Sequence, residues 1–207
     1  MNPLDIETIE LLSSAELPKP VFVLLHDAGG TAADMLTLGN QLGDAFAQAA
    51  VLIPQGLTGP ASDADDAPAL AARVQALVDF LHAQQQRLGA LPSHTALVGF
   101  GAGATLALAL VNAHDGLVGR VLAFGGCYAV LPAVASELTT LHLLHGKNDA
   151  VVPVERIRFD YAHLMELGAD ATLDVASAVG HELHPALMDQ AVLRLQTCVP
   201  LRFWKAL

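Results

Sequence analysis

Basic residues are scarce in this chain: ten Lys and Arg stand against 21 Asp and Glu, a formal net charge of -11. That balance argues against nucleic acid as a partner and against anionic membrane surfaces, since both attract positive charge. Cysteine is scarcer still. Cys127 and Cys198 are too few for a disulfide framework and fit a reducing, cytoplasmic setting. Long apolar runs are missing too: none reaches the ~18 residues of a membrane span without a Gly, Pro or charge breaking it. Asp5, Glu7 and Glu10 occupy the region where a secretory signal would carry basic residues.

What the chain does have is apolar mass. It is 53% hydrophobic and 15% charged over 207 residues. That is enough to bury a large core, and it suits a single domain over residues 1–207. Short apolar runs of strand length recur: Val21–Leu25, Val51–Ile53, Thr95–Val98, Val121–Phe124 and Leu141–Leu144. Ile6–Leu12 alternates acidic and apolar residues like an edge strand, and Ala171–Val179 alternates with Leu173 and Val175 on one side. Between them lie helical stretches at Thr31–Ala47, Ala69–Leu88, Glu155–Leu167 and Pro185–Leu195, and an Ala/Leu-rich one after Gly103. Strands alternating with helices predict α/β architecture: a mainly parallel sheet of about seven strands with helices on both faces. The 55–68 stretch reads as a solvated acidic loop. Counted from Asp63, its sixth and twelfth positions are Pro68 and Val74, not the Gly and Glu of a calcium-binding EF-hand loop.

The centre of the pattern is Leu97-Val98-Gly99-Phe100-Gly101-Ala102-Gly103, a buried strand turning sharply into a helix. Its frame is that of the G-x-S-x-G nucleophile elbow, with glycine where the serine would stand. Glycine preserves a strained turn and removes the nucleophile. Read alone, the stretch is equally a plain glycine-rich βα turn. It lacks the Lys-Ser/Thr of a P-loop and lies too late for a first-strand dinucleotide fingerprint.

In an open parallel sheet, ligands bind beyond the carboxyl ends of the strands. The residues that follow strands are His26 and Asp27, Gly101 and Ala102, Cys127, Asp149, and His181. The order tip, Asp149, His181 is that of Ser…Asp…His hydrolases, with Asp149 orienting the imidazole and His181 as general base. Each of the two also has a bland reading, as a turn residue or a satisfied histidine. Cys127 is an alternative nucleophile only if a neighbour lowers its pKa, and Thr105 lies a helical turn past the tip. His181-Glu182-Leu183-His184 lacks the H-E-x-x-H spacing of a zinc site. No metal or cofactor is expected.

From Pro20 to Pro200 the chain resembles the phospholipase/carboxylesterase family of α/β-hydrolases, especially its small bacterial serine esterases. The resemblance rests on Leu24-Leu25-His26-Asp27-Ala28-Gly29-Gly30, on the elbow, on His145-Gly146-Lys147-Asn148-Asp149-Ala150-Val151-Val152-Pro153 and on Gly180-His181-Glu182-Leu183-His184-Pro185. It implies an α/β-hydrolase fold, acyl-ester substrates, Asp149 and His181 as triad acid and base, and an oxyanion hole formed by the N–H groups of Ala28 and Ala102. The departures lie in the same place. The family writes His-Gly where this chain has His26-Asp27, and Ser-Gln where it has Gly101-Ala102. A carboxylate at 27 would oppose negative charge developing in the hole. Several changes in one site point to a lineage that lost the esterase reaction. Three readings follow: a carboxylesterase-like hydrolase that is weak or inactive because of Gly101; a binding or structural protein on the same scaffold, taking a small ester or acyl ligand; and a hydrolase whose Asp149–His181 dyad activates a water lodged over Gly101.

Overall fold

The computed structural model describes residues 5–13, 17–59 and 67–200. The elements, in chain order, are β1 (Thr8–Leu12), β2 (Val21–Leu25), α1 (Leu36–Ala45), β3 (Ala50–Pro54), α2 (Ala67–Leu88), β4 (Thr95–Phe100), α3 (Ala102–Ala113), β5 (Arg120–Phe124), β6 (Thr140–Gly146), α4 (Val154–Glu166), β7 (Ala171–Ala176) and α5 (Pro185–Thr197). Seven strands form one sheet in the order β1-β3-β2-β4-β5-β6-β7. Only β1 runs antiparallel to its neighbour, β3. It closes the edge predicted from the alternation of Ile6–Leu12. The aspartates at 63, 65 and 66 and the tail carrying Trp204 lie outside the described residues.

The continuous apolar runs become strands covered on both faces, as their composition demands. Side chains alternate across β2: Val21, Val23 and Leu25 face the layer of α2, α3 and α4, while Phe22 and Leu24 face α1 and α5. Two boundaries differ from the sequence reading. The helix after β2 begins as a 3-10 turn at Ala32–Met35. Strand β7 ends at Ala176, where its pairing with Gly146 ends. Val179 instead accepts the Asn148 N–H through its carbonyl (2.9 Å), so the residues after Ala176 belong to a turn.

The strand order positions the site. From β2 the chain crosses to β3 on one side, then returns to place β4 on the other. The loops after β2 and β4 therefore diverge from adjacent strands, with Leu25 in register with Gly99. A crevice at such a reversal is where open α/β sheets take their ligands. A smaller cavity of about 270 Å³ opens at the opposite end of the strands, beside Lys19, His94 and Arg120, away from these loops. No helix among the described residues is long and apolar enough to cross a membrane.

Candidate active site

Gly101 is the turn between β4 and α3. Its φ of 54° and ψ of -116° lie in a region that side chains rarely adopt. Gly99 and Gly103 allow the strand and helix to touch: a Cβ at Gly103 would overlap the Leu25 carbonyl, and one at Gly99 the backbone of Gly103 and Ala104. This packing aims the first N–H of α3, that of Ala102, across at the loop after β2.

That loop is fixed from behind by His26, which is buried. The His26 ring accepts the Gly56 N–H at Nε2 (3.2 Å), which leaves the proton on Nδ1 to donate to the Asp27 carbonyl at 2.7 Å. The Gly30 N–H donates to the same carbonyl at 3.0 Å. His26, a candidate from the sequence, thus turns away from the cleft and holds the backbone of its neighbour.

The Asp27 side chain lies across the turn. Its Oδ1 accepts the N–H of Ala28 at 2.8 Å and that of Ala102 at 2.7 Å. Its Oδ2 faces His181 Nε2 at 3.4 Å. A Cβ built on Gly101 would overlap this carboxylate. Asp27 therefore fills the space that an elbow side chain would need, and the two N–H groups read as an oxyanion hole already hold an oxyanion. Sequence reasoning placed a carboxylate beside the hole, whereas the geometry places it inside. The space over Gly101 foreseen for a water is filled by the same group.

His181 Nδ1 lies 2.8 Å from Asp149 Oδ2. Asp149 is buried, and its Oδ1 accepts the N–H groups of Val151 and Val152, both at 2.8 Å. The imidazole packs against Phe100, with ring centroids 4.8 Å apart and the planes tilted by 34°. This contact had no signal in the sequence beyond an aromatic residue inside the elbow. His145, also buried, donates to the Val152 carbonyl through Nε2 at 2.8 Å and buttresses the acid-bearing loop. His184 accepts the Ala186 N–H at Nδ1 (3.2 Å) and caps α5.

Charge in the site follows from these contacts. For Asp27, burial pushes the pKa up, but the hydrogen bonds from His181, Ala102 and Ala28 outweigh it, and the carboxyl lies below its ordinary value. For His181, the hydrogen bond with Asp27 raises the pKa most. Burial opposes it, Asp149 adds to it, and the net shift is upward. With His181 protonated the two form an ion pair, facing a cleft of about 580 Å³ that Thr105, Cys127 and Tyr128 also line. Cys127 lines this cleft, yet burial raises its pKa, so it lacks the low-pKa environment of a reactive thiol. Thr105 donates its hydroxyl to the Cys127 carbonyl at 2.9 Å.

Comparison with known proteins agrees with this architecture. The sequence pattern of the phospholipase/carboxylesterase family matches residues 55–199. Esterase YpfH of Escherichia coli K12 is 35% identical over 137 residues, which are 64% of this chain and 59% of that protein. The match therefore spans less than two thirds of that relative's length. Among solved structures, esterase PE8 superposes with a TM-score of 0.81 at 23% identity, covering 94% of this chain and 99% of its own. The Bacillus cereus carboxylesterase gives 0.81 at 18% identity, over 94% and 95%. The chain belongs to the phospholipase/carboxylesterase family and has the α/β-hydrolase fold.

Proposed function

We propose that this protein is a carboxylesterase-type hydrolase by descent whose ester hydrolysis is weak or absent with Gly101 and Asp27 in place. Asp149 and His181 take the positions of acid and base, Ala28 and Ala102 supply the hole, and small acyl esters are the ligand class of the cleft. The observation that carries this reading is the seat of Asp27: its Oδ1 accepts both N–H groups.

Acyl transfer in such a site needs a hydroxyl at the tip, a base to take its proton and two donors for the tetrahedral oxyanion. Gly101 offers no hydroxyl. The donors are engaged by a fixed negative charge, and a carbonyl oxygen becoming an oxyanion would have to displace it. His181, paired with Asp27, is held protonated to higher pH and is a poorer base near neutrality. The three features act in the same direction.

The test is hydrolysis of short p-nitrophenyl esters by the parent, Gly101→Ser, Asp27→Gly and the double variant. Gly101→Ser alone should be weak, because its Cβ must displace Asp27. The double variant should exceed the parent by ~100-fold or more, the scale set by a working oxyanion hole. It should also take up a fluorophosphonate probe that leaves the parent unlabelled. A parent as active as the double variant overturns the reading. A folded but inert double variant favours a non-catalytic binding protein.

A further inference from the structure

The fixed carboxylate that blocks one chemistry has the arrangement required by another. Asp27 Oδ1 is bound by two backbone N–H groups, at 2.8 and 2.7 Å. Oδ2 carries no backbone donor among the described residues and faces His181 Nε2 at 3.4 Å. The side chain keeps about a third of its surface exposed (34%) and lines the cleft, so a ligand there reaches it. Behind His181 stands Asp149, at 2.8 Å. No other carboxylate lines this cleft among the described residues, and Arg73 and Arg156 line its walls.

We propose that Asp27 is a nucleophile that replaces the missing elbow hydroxyl, acting on small alkyl compounds with an anionic leaving group, such as alkyl halides and alkyl sulfonates. In the first step Oδ2 forms a bond to the saturated carbon and the carbon–halogen bond breaks. The halide leaves with the bonding pair, and Asp27 becomes an alkyl ester. That ester is neutral, so His181 loses the contact that most raises its pKa and, where protonated, releases its proton to solvent. In the second step His181 Nε2 takes a proton from a water, whose oxygen attacks Cγ of Asp27. The charge that develops falls on Oδ1, already within hydrogen-bond distance of Ala28 and Ala102. Collapse expels the alcohol, protonated by His181, and leaves Asp27 as a carboxylic acid with one oxygen from water, whose proton passes to His181 and restores the carboxylate. The net reaction is R–X + H₂O → R–OH + H⁺ + X⁻.

The same geometry explains why an ester is a poor substrate. Its carbonyl oxygen needs the N–H groups that Oδ1 occupies, whereas an alkyl halide has no oxyanion to place.

The experiment uses the full chain and the probes 1-bromobutane and methyl methanesulfonate, with peptide mass mapping to separate alkylation of Cys127 and Cys198 from alkylation of Asp27. The expected results are steady bromide release and, in ¹⁸O-labelled water, one ¹⁸O in the Asp27 peptide after turnover. Asp27→Asn should fall to the buffer rate while its circular dichroism matches the parent. His181→Gln should release a single equivalent of bromide and retain a butyl group on Asp27, located by peptide mass mapping. Absence of alkyl Asp27 in His181→Gln with both probes overturns the proposal. So does alkylation confined to other residues, or halide release unchanged in Asp27→Asn.

Discussion

Asp27 and His181 perturb each other in opposite directions, and the stability of the fold records it. The Asp27 contribution is complete above the ordinary carboxyl value of 3.8 and is lost as pH falls through its lower folded value. The His181 contribution is complete below 6.5 and is lost as pH rises through its raised folded value. The pair is therefore at full strength between 3.8 and 6.5. The gap in melting temperature between the parent and Asp27→Asn should be widest at about pH 5 and narrower at about pH 9. A gap of constant width across that range would show that the ion pair does not form in solution. Asp27→Gly should also move the ionisation of His181 downward, measurable by NMR titration of the ring, because the largest upward contribution comes from Asp27.

Among the elements, the contact of β2, β4 and α3 decides whether the site exists. Gly103 stands where a Cβ would overlap the Leu25 carbonyl, which is backbone and cannot rotate away. Gly103→Ala should cost about 2–3 kcal/mol in urea unfolding and loosen the Ala102 N–H from Asp27. A variant as stable as the parent would mean that β2 and α3 can separate freely. Most of the elements were legible in the sequence. Val21–Leu25 and Leu141–Leu144 are largely apolar because both faces of their strands are covered, and the strand–glycine–helix change at Phe100–Gly103 marks the elbow. The end of β7 was not legible: Ser177-Ala178-Val179 continues the polar–apolar mixture of the strand before it, and only the pairing with β6 stops at Ala176. The meeting of Asp149 with His181 was foreseen from their order along the chain. The seat of Asp27 was not. It depends on an empty volume over Gly101, on a separate loop, and nothing in the local spacing of either residue encodes that volume.

At the scale of the whole molecule, one sheet carries both core layers, and the site draws its residues from loops after β2, β4, β6 and β7. No break in this sheet divides it into units with few contacts between them, so the chain should unfold as one domain. Calorimetric and van 't Hoff enthalpies should then agree. Two resolved transitions would instead mark separable parts and would decouple Asp27 from His181. The scarcity of basic residues says nothing about the cleft itself, where Arg73 and Arg156 line the walls on a chain of net charge -11. Overall charge bounds the partners, while local geometry decides the chemistry.

The overlap between a Cβ at 101 and the Asp27 carboxylate also couples the two positions. The family pattern has glycine after the loop histidine and serine at the tip, and this chain has aspartate and glycine. Between those two states lie only two single-substitution intermediates. One carries aspartate and serine together, which compete for the same space. The other carries glycine at both positions, which leaves that space vacant and the protein without a nucleophile. Only the second leaves the seat of Asp27 vacant, whereas aspartate and serine coexist only when the Asp27 carboxylate swings off Gly101.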